Sequence, residues 1–271
     1  MKKFFPYIFC FALLLNQSLS FAALPFVTDD AAIANPNQLL IEAFTETWKL
    51  PQKGDSEKTR MYGQYLGFSY GAAQNLEVTI GGLAGYDSKL KSAAYMNPVL
   101  QMKTIALRPN LKNPAIPSIA FSTAYVNNSG RGQYYDPARN YYLMGIATSK
   151  FFDDDLIIHV NYGPKASYDI DGHKSYKRMH LGVALDTAFF RKDVRLFAES
   201  FNGAPNSPRD SPGLFHSYQT GFKFIAPNAW GFHILYGNQP TFNGYDENNA
   251  MSYRRTSWIQ FGVRKAIDNL L

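Results

Sequence analysis

Leu76-Glu77-Val78-Thr79-Ile80-Gly81 alternates apolar and polar side chains at every step through Ile80. Successive residues of a strand point to opposite faces, so this stretch has one greasy side and one side carrying Glu77 and Thr79. The same period of two recurs in His180-Leu181-Gly182-Val183-Ala184-Leu185-Asp186, in Val194-Arg195-Leu196-Phe197-Ala198-Glu199 and in Trp258-Ile259-Gln260-Phe261-Gly262-Val263-Arg264. Working outward from these four, weaker alternation marks Gln38–Trp48, Arg60–Gly71, Met96–Leu107, Ile116–Val126, Asn140–Lys150, Leu156–Gly163, His216–Phe224 and Trp230–Gly237. The chain is therefore expected to hold about twelve strands, most of about 8–12 residues, close to the roughly 9–11 that a tilted strand needs to cross a bilayer.

The connections are expected to alternate in length. Short ones fall at Ala72–Asn75, Arg108–Asn110, Phe152–Asp155, Phe190–Lys192 and Pro227–Asn228. Long polar ones fall at Lys49–Thr59, Asp87–Tyr95, Asn127–Arg139, Pro164–Arg178, Asn202–Phe215 and Asn238–Arg255. A soluble sandwich has no reason to sort its turns this way. An outer-membrane barrel does, with short periplasmic turns, longer outer loops and, for an even strand count, both termini on the periplasmic side. Lipid offers the backbone no hydrogen bonds, so a spanning sheet must close on itself. The fold expected is all-β: a closed antiparallel transmembrane β-barrel of a Gram-negative outer membrane. Aromatics near strand ends (Phe44, Trp48, Tyr62, Phe68, Tyr70, Tyr141, Tyr142, Phe189, Phe190, Tyr236 and Trp258) are expected to form its two girdles. A secreted β-sandwich is the competing architecture.

Composition narrows the classes. Of 271 residues, 15% are aromatic and only 18% are charged, which excludes disorder. One cysteine excludes a disulfide scaffold. The only long apolar run is N-terminal, so a helical transporter is excluded too. Met1-Lys2-Lys3, the apolar Phe4–Leu15 and the small residues of Ser20-Phe21-Ala22 read as a secretory signal, residues 1–22, cut after Ala22. The net charge of +6 falls to +4 without the signal's two lysines, too mild and too evenly spread for nucleic acid. Residues 38–271 form the barrel. Residues 23–37 are either a plug folded up into the barrel or a flexible periplasmic tail.

Several segments resemble a family of outer-membrane channel proteins named for the MetA pathway of phenol degradation. Leu24-Pro25-Phe26-Val27-Thr28-Asp29-Asp30-Ala31 is similar to that family's opening, and the strand after it carries Glu42 and Glu46. Gly67-Phe68-Ser69-Tyr70-Gly71 to Asn75-Leu76-Glu77-Val78 is similar to its second hairpin, His159-Val160-Asn161-Tyr162-Gly163 to its central strand, and Ala198-Glu199 to a late Ala-Glu pair. Two departures stand out: Ala266–Leu271 follow the last strand, and Asn97–Lys103 lacks the family's glycines. The resemblance implies a channel for small organic solutes, often hydrophobic or aromatic.

Parity then sorts the side chains. With the apolar set facing lipid, the lumen receives Glu42, Glu46, Glu77, Lys103, Asn161, Asp186, Arg195, Glu199, Gln219, Lys223, Gln260 and Arg264. A Lys or Arg facing lipid at mid-depth costs about 2–4 kcal/mol, which favours this inward set. These groups either pair across a narrow lumen or line a pore. A lipid-modifying hydrolase needs a nucleophile beside a base. The nearest candidate, His216-Ser217, places adjacent strand residues on opposite faces. No enzyme activity and no cofactor is expected. Asp153-Asp154-Asp155 and the Asp169, Asp171, His173 group read as turns, not metal sites. The expected partners are outer-membrane lipids, the barrel-assembly machinery and a small organic solute; a structural or adhesin-like barrel is the other non-enzymatic reading.

Overall fold

The computed structural model describes residues 27–50, 59–87, 91–110, 112–127, 129, 139–168, 175–202, 217–245 and 251–268. The expected signal at 1–22, with Cys10, lies outside them, as do the start of the 23–37 segment, Asp169, Asp171, His173 and His216. Twelve strands occur: β1 Leu39–Leu50, β2 Thr59–Ala73, β3 Leu76–Asp87, β4 Ser92–Leu107, β5 Ser118–Val126, β6 Arg139–Phe151, β7 Leu156–Tyr168, β8 Ser175–Phe189, β9 Arg191–Phe201, β10 Ser217–Ala226, β11 Trp230–Tyr245 and β12 Met251–Ile267. Each pairs antiparallel with its sequence neighbour, and β1 pairs with β12, from Leu39 opposite Ile267 to Lys49 opposite Ser257. The sheet is thus a closed all-β barrel with no free edge, which is how a sheet avoids unpaired backbone groups.

The two faces separate as the period of two requires. β5 shows it most plainly: Ser118, Ala120, Ser122, Ala124 and Val126 are buried, while Phe121 and Thr123 are exposed. Large apolar side chains such as Leu66, Ile80, Leu100, Leu143, Ile234 and Ile259 stand on the outer surface. The buried face carries carboxylates, amides, ammonium groups and histidines. Polar groups inside and apolar groups outside invert the arrangement of a water-soluble sandwich.

At the short-turn end the backbone enters the left-handed region. Asn228 and Ala229 have φ of 59° and 58°, the pair of positive values that a tight type I′ hairpin demands. Phe152, Asp153 and Asp154 repeat this between β6 and β7. There Lys192 meets Asp153 at 2.5 Å and holds its carboxyl below the usual carboxylate range, first by hydrogen bonding and then by its charge.

Four expectations are corrected. First, most strands are not of about 8–12 residues: seven of the twelve are longer, and β12 has 17 and runs on through Ala266 to Ile267. Second, Pro164–Arg178 and Asn238–Arg255 are not whole loops, because β7, β8, β11 and β12 extend through most of both ranges. Outward positions beyond the apolar band face water, so the hydropathy contrast fades while the pairing continues. Third, Arg108–Asn110 is the start of a longer connection, since β5 begins only at Ser118. Fourth, Phe44, Trp48, Tyr142 and Trp258 share the parity of the inward residues and are not girdle residues. Outward Tyr62, Tyr86, Tyr141, Tyr218 and Tyr236 lie towards one rim, and Phe189, Phe190, Phe224 and Trp230 towards the other.

Candidate functional site in the barrel interior

Residues 27–34 lie inside the barrel, and the wall holds their main chain. Glu199 on β9 accepts the Val27 and Thr28 N–H groups, one on each carboxylate oxygen, at 2.7 Å. Thr148 on β6 accepts the Ala31 N–H at 2.9 Å, and Glu77 on β3 accepts the Ala34 N–H at 2.7 Å. With its carboxamide oriented so that donors meet acceptors, Asn161 on β7 accepts from Asp29 N–H at 2.6 Å and donates to Asp29 C=O at 2.8 Å. An extended segment cannot satisfy its own N–H groups, so buried acceptors must do it.

Side chains complete the fit. Lys103 on β4 lies 3.0 Å from Asp29, 3.9 Å from Asp30 and 3.8 Å from Glu77, so one buried ammonium gathers three carboxylates. Gln101 donates to Ser122 at 2.7 Å and to Asp29 at 3.3 Å. Ala31 packs on Ala120, Met144 and Ile146, where the small inward residues of β5 leave room. Val27 packs against the cluster formed by Ala184, Phe197, Phe201, Leu235 and Trp258. At the foot, Asn37 N–H donates to Gly71 C=O, and Gly71 N–H to Gln38 C=O. A Cβ at Gly71 would sit 1.9 Å from the Asn35 carbonyl oxygen, so only glycine permits this approach.

A second group lies near the short-turn end. Asp186 on β8 accepts from Arg195 Nε at 2.6 Å and pairs with Lys223 on β10. Arg195 also donates to the Asp154 carbonyl at 2.9 Å, tying the ion pair to the β6–β7 turn. His159 Nδ1 lies 3.0 Å from the Thr148 hydroxyl, the same hydroxyl that accepts the Ala31 N–H.

A third group lines β1, β12 and β2. Along β1 the inward residues are Leu40, Glu42, Phe44, Glu46 and Trp48. Glu42 stands opposite Arg264, and Glu46 opposite Gln260, whose amide meets His233 Nε2 at 2.8 Å. Trp48 stacks on Trp258 at 4.8 Å between centroids, and Phe44 on Tyr65 at 4.6 Å. Glycines make flat seats for one ring of each pair. A Cβ at Gly237 would lie 2.0 Å from the Trp258 ring, and one at Gly81 would lie 2.2 Å from Tyr65 Oη.

All twelve residues assigned to the lumen by parity have inward side chains, eleven of them buried and Lys223 half-buried. The interior brings them together in three sets. Glu77, Lys103, Asn161, Glu199 and Gln219 gather at the segment, with Gln219 donating to Glu199. Asp186, Arg195 and Lys223 form the ion knot. Glu42, Glu46, Gln260 and Arg264 share the remaining wall. Parity alone omitted Thr148, Lys165, His180 and the segment's own Asp29 and Asp30. Lys165 was hidden because Pro164–Arg178 read as a loop, although it is only 2% exposed on β7.

No protein-family model matches the sequence, and no curated protein does, so the resemblance to the MetA-pathway family has no support from those two comparisons. Solved structures do match in fold. The COG4313 outer membrane channel from Pseudomonas putida F1 superposes with a TM-score of 0.55 at 9% identity, over 88% of this chain and 97% of that one. The KdgM porin superposes at 0.50 and 15% identity, over 83% and 98%. KdgM in complex with disordered oligogalacturonate gives 0.51 and 13%, over 82% and 98%. The chain therefore has the fold of outer-membrane channels.

Proposed function

We propose that this protein is an outer-membrane channel that passes small organic solutes and that its lumen is narrowed by residues 23–37 acting as a plug. The observation that carries the reading is the closed barrel with large apolar side chains outside and ionisable groups inside. Such a cylinder is matched to acyl chains on its outer face and to a polar path within. Fold alone does not fix function, so the weight rests on the interior. The outer surface meets outer-membrane lipid, and insertion is the work of the barrel-assembly machinery. The resemblance to the MetA-pathway family supports hydrophobic or aromatic solutes, and the inward stacked rings suit them. The reading is of a non-enzymatic protein, its interior groups binding and guiding rather than reacting.

The plug is supported by six main-chain bonds with Glu199, Thr148, Glu77 and Asn161, and by the ion pairs of Lys103. Planar-bilayer recording tests both parts. The wild-type chain is expected to give small steps, and a chain lacking residues 24–35 steps several-fold larger. The milder E77Q/E199Q pair, which removes carboxylates without a deletion, is expected to move in the same direction. Equal conductance in all three overturns the plug. No steps from any of them overturns the channel.

A further inference from the structure

All of the hydrogen bonds described above between residues 27–34 and the wall go to β3, β4, β6, β7 and β9. The wall formed by β1, β2 and β12 is left with a different chemistry, and its order along β1 is regular. Glu42, Phe44, Glu46 and Trp48 alternate carboxylate and ring on one face, with neighbouring members about 7 Å apart. Trp258 lies over Gly237, and Tyr65 over Gly67 and Gly81; Trp48 and Phe44 stack on those seated rings. Trp48 is half-buried while Trp258 is 5% exposed, so Trp48 is the ring of that pair turned to the lumen; Phe44 and Tyr65 are both half-buried.

The two carboxylates of this ladder differ: Glu42 has a buried oxygen in deficit, while Glu46 has the Trp48 side chain beside it as a hydrogen-bond partner. Glu42 and Glu46 are 7% and 6% exposed, and neither forms an ion pair among the described residues. Arg264 faces Glu42 across the strand pair, yet Glu42 Oε1 is buried without a hydrogen-bond partner. A buried carboxylate without a partner is costly, and a mobile cation that brings its own apolar surface relieves the cost. An organic ammonium satisfies both features: its charge meets the carboxylate, and its apolar body or its charge lies over a ring face.

Resting on the channel reading above, we propose that the β1–β12 wall is a binding ladder for small organic cations. The class is an ammonium joined to an aromatic or short aliphatic body, with Glu46 between Phe44 and Trp48 as the central station and Glu42 as the next. Neutral aromatic solutes share the ring contacts but lack the ionic one, and anions are repelled by Glu42 and Glu46.

The test uses the full chain in detergent or vesicles, with W230F to remove the outward tryptophan. Trp48 and Trp258 then report as the remaining tryptophans. Phenethylammonium, 2-phenylethanol and phenylacetate serve as cationic, neutral and anionic probes of one shape. The expected result is at least about tenfold tighter quenching by the cation than by the alcohol, with phenylacetate weakest. E46Q is expected to bring the cation to the alcohol's affinity while leaving the alcohol unchanged, which a merely structural Glu46 would not do. Equal binding of all three probes overturns the proposal, as does a cation preference that survives E42Q/E46Q. Conductance without cation preference removes the ladder and keeps the channel. Cation binding without conductance or vesicle swelling keeps the ladder and removes the channel.

Discussion

Asp186 divides one carboxylate between two cations, Arg195 and Lys223, in a part of the interior where it is itself 2% exposed. Removing one partner from a buried ionic group leaves the others uncompensated, which costs about 3–5 kcal/mol. D186N is therefore expected to lower the urea midpoint of the folded barrel in vesicles clearly. D193N, whose carboxylate bonds the exposed Arg191, is expected to leave it unmoved. Comparable midpoints for the two variants would contradict the knot's role. The sequence placed Asp186, Arg195 and Lys223 on the inward face, because a strand's alternation is local. It could not say that the three meet, since they come from β8, β9 and β10 and join through register.

β5 shows how much a single strand can specify. Its outward Phe121 and inward Ala120 are adjacent in sequence and sit in opposite solvents. F121R sets a guanidinium on the outer face and is expected to destabilise the barrel in lipid by about 2 kcal/mol. A120L overfills the space taken by Ala31 and is expected to cost about 1–3 kcal/mol. The two effects separate when the chain lacks residues 24–35: the A120L cost then vanishes and the F121R cost stays. Folding titrations on both backgrounds measure this directly, and a persisting A120L cost would remove Ala31 as its cause. The elements were legible where lipid and lumen force a contrast, as in Leu76–Gly81. They were not legible in Pro164–Arg178, where Lys165 and Ser167 continue the inward face although the outward side has left the apolar band. The inward rings were misplaced for a related reason: aromatic residues suit both a girdle and a packed interior, and only strand parity tells them apart.

Closure belongs to the whole molecule. β1 and β12 are joined by pairing alone, with Thr47 opposite Ile259 on the outer face. Directly opposed residues of antiparallel strands lie about 4.5–5.5 Å apart at Cα, within disulfide reach. With C10 absent from the mature chain by the expected cleavage, T47C/I259C is expected to cross-link under mild oxidation and to resist unfolding in the oxidised form. A double variant that stays reduced in the folded protein would mean an open sheet. The same scale governs the segment inside: Glu199 lies 172 residues from the Val27 amide it binds, so no local pattern could announce the bond. Asp29 and Asp30 carried no sign of Lys103 for the same reason.

Sequence by itself determined that this chain is built of strands and how alternation divides polar from apolar side chains along the clearest of them. Those properties depend on nearest neighbours and on the solvent each side meets. The tertiary structure alone decided where the strands end, that residues 27–34 occupy the lumen, and which inward groups pair. Those outcomes depend on closing the sheet at one register, which brings distant side chains into a shared, poorly hydrated space where each must find a partner.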